Sequence, residues 1–284
     1  MLGFIPSESV VVLGVKGNRV EFCARMDLDH VHSDTATIAA QVDNACSGLP
    51  GVELYVLGYS TDQDTAAATM APLIDAIETI VVECIAVTPS HWWYVIGATT
   101  VGQASSYDGR GSTVSLQALA ADQPILQDRD AAVVAVQGPK KSDTNYGELI
   151  EQSARAAAVV AGMTGQDQAA AAVELASSET ALTKDQSVQL AALMNTEDGA
   201  GAVLDTLTTT TAETYRVRLI EARSMTPATR ASGVLAVLGM ACWLDNQGAE
   251  VADCLVQLDA FDPSNPIGVI LRSIHTNAIP PSKW

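Results

Sequence analysis

Apolar positions recur along this chain with two different periods, and the change between them divides it. From Ser9 to about Ile96 they come in β-branched runs or alternate with polar residues, the period-2 signature of strands. Val10, Val11, Val12 and Leu13 form one run, and Val20, Phe22, Ala24 and Met26 alternate on a returning segment. Ser9 to Leu28 therefore predicts a β-hairpin. Its turn is Lys16-Gly17-Asn18-Arg19, with Gly17-Asn18 able to take positive φ. Asp34 to Cys46 predicts a helix with Ser33 or Asp34 as N-cap. Val52 to Tyr59 predicts a strand. Asp62 or Gln63 opens a helix to about Thr79, kinked or divided by Pro72. Val82 to Thr88 predicts a further strand, paired with Trp92 to Ile96. The order β-β-α-β-α-β-β implies an α/β N-terminal domain with a mixed sheet.

Beyond Ile96 the strand signal fades. Gly97 to Ser112 reads as a Gly/Ser/Thr loop, and Thr113–Ala121 and Arg129–Gln137 as short helices. Gly138-Pro139-Lys140-Lys141-Ser142-Asp143 combines breakers with a change of charge and marks a boundary. It separates residues 1–139, the α/β domain, from residues 140–284, where the period is helical nearly throughout. Predicted helices are Tyr146–Gly162, Gln166–Ser177, Lys184–Met194, Ala200–Leu207, Glu213–Arg223, Ala231–Leu244, Ala249–Leu258 and Pro266–His275. The fold class is an α/β domain followed by an all-α domain. Within the latter, Leu235, Leu238, Gly239 and Cys242, then Leu255, Leu258 and Pro263, fall at the spacing of a tetratricopeptide-like helical hairpin.

Composition narrows the partners. The 284 residues are 48% hydrophobic but only 5% aromatic, enough for a large core of small side chains. Thirty-three acidic against fifteen basic residues leave a net charge of −18, which argues against nucleic acid and anionic membrane surfaces. An acidic face suits a basic protein partner or self-association. The five cysteines, Cys23, Cys46, Cys84, Cys242 and Cys254, are widely spaced in mostly apolar contexts, as reduced core residues of a cytoplasmic protein are. There is no CxxC pair, no basic-then-apolar secretory leader and no apolar run of membrane-spanning length.

Two segments carry a family resemblance. One is Leu2-Gly3-Phe4-Ile5-Pro6-Ser7-Glu8-Ser9-Val10-Val11-Val12-Leu13, with Arg25-Met26-Asp27-Leu28 closing the hairpin. The other holds Leu235-Ala236, Ala241, Trp243, Gly248-Ala249, Ala252, Asp262-Pro263 and Pro280-Pro281, with Gln127-Asp128-Arg129-Asp130 between the two. Together they resemble an uncharacterised family of actinobacteria and their phages, domain of unknown function 4192. The chain departs from that family in the Gly/Ser loop after Gly97, where a Cys-rich segment is usual. It departs again at Asn246-Gln247-Gly248, in place of a Gly-acidic-Gly turn. Residues 140 to 210 match poorly. The resemblance implies the architecture and no catalytic residue.

Candidate chemistry is sparse. His30 and His32, with Asp34 beside them, would point the same way on an extended chain and share a divalent metal; otherwise no cofactor is predicted. The alternative is a solvated loop that caps the next helix. Ser60 follows a central strand and enters a helix, where open α/β sheets bind ligands, and His91 follows the next strand. The two are candidates for a nucleophile and a base, although no GxSxG, Walker A or GxGxxG motif accompanies them. Arg110, Gly111 and Ser112 precede a helix and could cradle an anion. Trp92 and Trp93 should face opposite sides of a strand, one in the core and the other outside or under the helical domain. With Trp243 they are the candidate protein-contact residues. Arg216, Arg218, Arg223 and Arg230 are the one concentrated basic area, expected to pair with internal carboxylates. The expected function is a non-enzymatic interaction or regulatory protein. The alternatives are a metal-dependent enzyme or small-molecule sensor in the α/β crevice, and a phage structural component.

Overall fold

The computed structural model describes residues 3–109, 112–120 and 125–284. The chain forms two compact units, Met1–Ala131 with Thr276–Pro280, and Ala132–His275 with Pro281–Trp284.

The first unit is built on a six-stranded mixed sheet. Strands β1 (Ser9–Lys16) and β2 (Arg19–Asp27) form the expected hairpin, with Gly17 at φ 60° in its two-residue turn. Helices α1 (Leu28–Ser33) and α2 (Thr35–Ser47) lead to β3 (Glu53–Tyr59). Helix α3 (Gln63–Ala76) then crosses to β4 (Val81–Val87), followed by β5 (His91–Ile96) and β6 (Thr99–Ser106). The strand order is β2-β1-β3-β4-β5-β6, with only β3 and β4 parallel. Helix α3 runs through Pro72 and stops at Ala76, short of the expected Thr79.

Two local expectations are corrected. The segment read as a loop after Gly97 begins with β6. Gly97, at φ 59°, and Ala98 turn the chain, and Ile96 pairs with Thr99. This strand lies at the edge of the sheet with a single large apolar residue, Val101. Pairing with β5 holds it, and an apolar pattern was absent. The segment from Asp27 to Asp34, read as extended, contains α1. Leu28 and Val31 are buried three residues apart and reach the core, which makes a helical turn the favoured local solution.

That core lies on one face of the sheet. Val10, Val12, Leu54, Val56, Ala86 and Val95 meet Leu28, Val31, Ile38, Val42, Met70 and Leu73 of α1, α2 and α3. On β3 the side chains alternate strictly, so Tyr55, Leu57 and Tyr59 stand on the opposite face, half-buried. The returning segment Thr276–Pro280 belongs to this unit, where Asn44 Nδ2–H donates to the Asn277 carbonyl at 3.1 Å.

The chain then passes through α4 (Thr113–Ala120) and α5 (Arg129–Val133). The second unit is helical, as its period predicted. It contains α6 (Tyr146–Ala161), α7 (Gly165–Ala176), α8 (Lys184–Leu193), α9 (Glu197–Thr206) and α10 (Ala212–Ser224). These are followed by α11 (Ser232–Leu244), α12 (Gly248–Phe261) and α13 (Pro266–Thr276), whose last residue belongs to the first unit. Threonines set three of the starts: Thr164, Thr183 and Thr196 each accept a first-turn N–H, and Thr183 forms a reciprocal capping box with Gln186. Helix α11 is the axis of this unit. Every residue from Gly233 to Leu244 is buried, and α10 and α12 pack against it. A helix apolar on all sides must be enclosed by others. A Cβ on Gly239 would collide with Leu271 of α13, so glycine sets that approach.

Candidate functional site

The carboxyl-terminal rim of β3 and β4 is the place where an open sheet would hold a ligand. Ser60 leaves β3 there, and its N–H donates to the Val87 carbonyl at the end of β4 (3.0 Å). The Ser60 hydroxyl is buried and fully engaged. It donates to the Glu8 carboxylate at 3.0 and 3.3 Å and accepts the Asp62 N–H at 3.2 Å. The same carboxylate accepts the Thr61 N–H at 2.9 Å. Glu8 sits at φ 40°, a left-handed conformation uncommon for this residue type. Its own carbonyl accepts the Leu28 N–H at 3.0 Å. Backbone and side chain together thus lock Glu8 across the rim. The sequence offered no motif for this role.

His91 belongs to a second, separate network. Thr88 N–H donates to the His91 carbonyl at 2.8 Å, which closes a tight turn, and the His91 Nδ1 and Ser90 Oγ lie 2.8 Å apart. The imidazole stands 5.9 Å from the Trp93 ring. Ser60 and His91 therefore share the rim without forming a nucleophile–base pair. Asp62 is also committed. The Thr65 hydroxyl and the Asp64 N–H, which it accepts as the N-cap of α3, hold its carboxyl below the usual range.

Tyr59 lies at the same rim on the outer face of the sheet. Burial, then the neighbouring Tyr107 and Cys23, push its phenol up to about 12. Tyr107 N–H donates to the Ser90 carbonyl at 3.0 Å. The phenol of Tyr59 stays protonated at neutral pH and can donate a hydrogen bond.

His30 and His32 are on α1, and both are exposed. Two residues apart on a helix they diverge, whereas on a strand they would align. Asp34 is the N-cap of α2, without a side-chain cap bond. Among the described residues, no three His, Cys, Asp or Glu side chains gather as metal ligands would. Arg110 and Gly111 lie outside the described residues. Ser112 Oγ–H donates to the Gly109 carbonyl at 3.2 Å and so helps close its own turn.

The tryptophans face opposite sides of β5, Trp92 with Tyr94 on the outer face and Trp93 opposite Ala86 on the core face. Trp92 and Trp93 are both half-buried. Trp92 meets Tyr94 edge-on at 5.1 Å, and Tyr94 is 47% exposed. Strand register places Val11, Leu57, Ile85, Tyr94 and Val101 side by side on the outer face, an apolar row across five strands. Trp243 is buried in the helical unit, edge-on to Trp284 at 5.8 Å.

The basic area of the helical unit is mostly internal wiring. Arg216 pairs with Asp245 at 2.7 Å and Glu250 at 3.1 Å, and Arg218 with Glu221 at 3.0 Å. Arg223 donates instead to the Thr226 carbonyl and the Gln257 side chain, each at 2.7 Å. The Arg230 guanidinium pairs with no carboxylate among the described residues. Cys242 Sγ–H donates to Glu250 at 3.2 Å. Burial, then Cys254, then Glu250 push its thiol far up, which keeps it protonated. All five cysteines are free thiols.

Two clefts carried no sequence signal. One, of about 410 Å³, lies at the opposite, amino-terminal end of β3 and β4, lined by Asp43, Cys46, Leu49, Pro50, Glu78 and Thr79. Partial burial raises the Asp43 carboxyl. Hydrogen bonds from Glu78 N–H, Thr79 Oγ1–H and Thr79 N–H outweigh that and leave it below the usual range. Asp43 is thus a structural clamp. The other cleft, of about 190 Å³, lies in the helical unit around Ser153 and Arg230.

No helix among the described residues is long and apolar enough to cross a membrane. No curated protein and no solved structure matches the chain. A sequence model described as "Domain of unknown function (DUF4192)" matches residues 1–282, nearly the whole length. The chain belongs to the DUF4192 family.

Proposed function

We propose that this chain works by protein contact rather than catalysis, and that the outer face of its sheet is the contact surface. The carrying observation is the apolar row Val11, Leu57, Ile85, Tyr94 and Val101. Its exposure rises from 3% at Val11 to 47% at Tyr94. Trp92 packs edge-on against Tyr94, and Ile96, two residues on, is 72% exposed. Aromatic side chains that are half-buried before association lose little entropy on docking and serve as anchors. The polar edge strand β6 supplies a hydrophilic rim. The engagement of Ser60 by Glu8, apart from His91, favours this reading over hydrolysis at the rim.

The test is a photo-cross-linking amino acid placed at Tyr94, followed by sedimentation of the purified chain. The expected outcome is a discrete adduct, with a second copy or with one host protein. Trp92→Ser should abolish it without lowering the thermal midpoint. A monomer in sedimentation together with no discrete adduct in host lysate overturns the proposal.

A further inference from the structure

Strand β2 lies at one edge of the sheet, and its outward side pairs with no other strand among the described residues. Leu28 N–H donates to the Glu8 carbonyl, and this pair continues the β1–β2 register one step beyond Ser9 and Asp27. Hydrogen-bonded positions alternate along an antiparallel ladder. Met26 and Ala24 therefore turn their backbone groups towards β1, while Cys23, Arg25 and Asp27 turn theirs outward. An open row of N–H and C=O groups is a template for another strand.

Charge selects the strand that fits. Alternate residues of β2 are Arg19, Glu21, Cys23, Arg25 and Asp27, which read plus, minus, neutral, plus, minus. Read backwards, the pattern is its own complement. We propose that β2 pairs antiparallel with β2 of a second copy, across a two-fold axis at Cys23, and so joins two sheets into one. That register brings Arg19 to Asp27 of the second copy, and Glu21 to Arg25 of the second copy. Moving the axis by one residue brings Arg19 to Arg25, or Glu21 to Asp27. Moving it by two brings Glu21 or Arg25 to its own copy. Unlike charges across a ladder stabilise and like charges destabilise, so one register is selected. A surface that complements itself suits the isologous contact of a two-fold dimer.

Within the chain Arg25 pairs with Asp27 at 2.6 Å. Pairing brings Arg19 and Glu21 of the second copy to this ion pair and makes a network of four charges at each end. Networks contribute where isolated surface pairs do not. Glu21 is the extra residue of the bulge at Gly14 and Val15, and it has no register partner on β1. Beyond the bulge Val20 carries the outward backbone groups, level with Arg25 of the second copy, and the long Arg and Glu side chains meet beside it. The other edge offers no such match: β6 carries no charged residue, and Gly102 at φ 79° interrupts it. The β2 edge is separate from the outer-face row, so the dimer does not rest on the contact proposed above.

The experiment is sedimentation equilibrium of the full chain up to about 200 µM, in the range of weak, reversible association. Two charge-reversed variants accompany it. One combines Arg19→Glu with Glu21→Arg. The other combines Arg25→Glu with Asp27→Arg, which keeps the internal ion pair with its signs exchanged. A reversible wild-type dimer is expected, weakened by about tenfold or more in either variant alone. An equimolar mixture of the two variants regains the dimer, because every pair across the axis is again unlike. Diamide oxidation should join wild-type chains through Cys23, since a hydrogen-bonded pair holds its Cα atoms about 5.5 Å apart, within disulfide reach. Cys23→Ser should abolish that adduct, and Trp92→Ser should leave the dimer intact. The proposal is overturned by a wild-type monomer throughout, by a dimer that survives both charge reversals, by a mixture that stays monomeric, or by an adduct that survives Cys23→Ser. A dimer dissolved by Trp92→Ser would belong to the outer face and equally overturns it. Where a variant loses its cooperative thermal transition, the Cys23 adduct and its loss decide the matter.

Discussion

Ser60 and Ser153 are buried to the same degree, each 6% exposed, yet their surroundings are opposite. Ser60 closes a strand end, where a carboxylate accepts from its hydroxyl and a backbone N–H donates to it. Ser153 lies on a helix against a cleft, with no hydrogen-bond partner among the described residues. Burial alone therefore does not mark a site. What separates the two is whether the fold has already satisfied the polar group. By that criterion the Ser60 hydroxyl, which looked most like a nucleophile, is a finished piece of architecture. The hydroxyl that is fully buried with no partner among the described residues is that of Ser9, in the first unit.

The sharpest way to break this contrast is to remove the cleft. Gly233→Ala puts a methyl group against the immovable Met194 carbonyl. It should lower stability by about 3 kcal/mol, at the upper end for overpacking, as measured by denaturant unfolding. A loss below about 1 kcal/mol would mean that the start of α11 shifts easily and that the cleft has no fixed shape.

The next largest effect lies at the Ser60 rim and appears in alkali. Tyr59 holds its proton until about 12 in the folded chain, against 10.0 for a free phenol. Between those pH values the unfolded chain releases a proton that the folded chain keeps. Stability is therefore intact below pH 10 and falls as the pH rises towards 12, by about 2–3 kcal/mol in all. Tyr59→Phe should flatten that part of the stability–pH curve. An unchanged slope in the variant would place the alkaline loss elsewhere.

The smallest effect compares the two serines directly. Ser60→Ala removes a hydrogen bond to a charged group and should cost about 1–2 kcal/mol. Ser153→Ala deletes a hydroxyl that bonds to nothing among the described residues and should change stability by no more than about 0.5 kcal/mol. Equal losses in parallel urea titrations would erase the distinction between them.

Much of the chain was legible as sequence because its signals are local. Helix starts and stops in the second unit follow a 3.6-residue period and threonine caps. The predicted Tyr146–Gly162 and Lys184–Met194 lie within a residue of α6 and α8. The first hairpin was legible for the same reason. The misreadings share one cause. Strand β6 has hardly any apolar pattern and exists because β5 offers it hydrogen bonds. Helix α1 is too short for its period to register, and it forms because Leu28 and Val31 find a core to enter. With the helix, His30 and His32 lose the alignment that made them a metal candidate. Glu8 was invisible as a site residue, since its partners, Ser60 and Thr61, lie some fifty positions away.

The sequence by itself determined the division into an α/β part and a helical part and most element boundaries. These depend on periodicity, capping and turn chemistry within a few residues. Tertiary structure alone decided which polar groups were satisfied. It joined Glu8 to Ser60, set Val11, Leu57, Ile85, Tyr94 and Val101 in one row, and left Ser153 on the same cleft as Arg230 without a bonding partner among the described residues. Each of these depends on which distant segments meet, and hydrogen bonding and desolvation act at the few ångströms between them, whatever their separation along the chain.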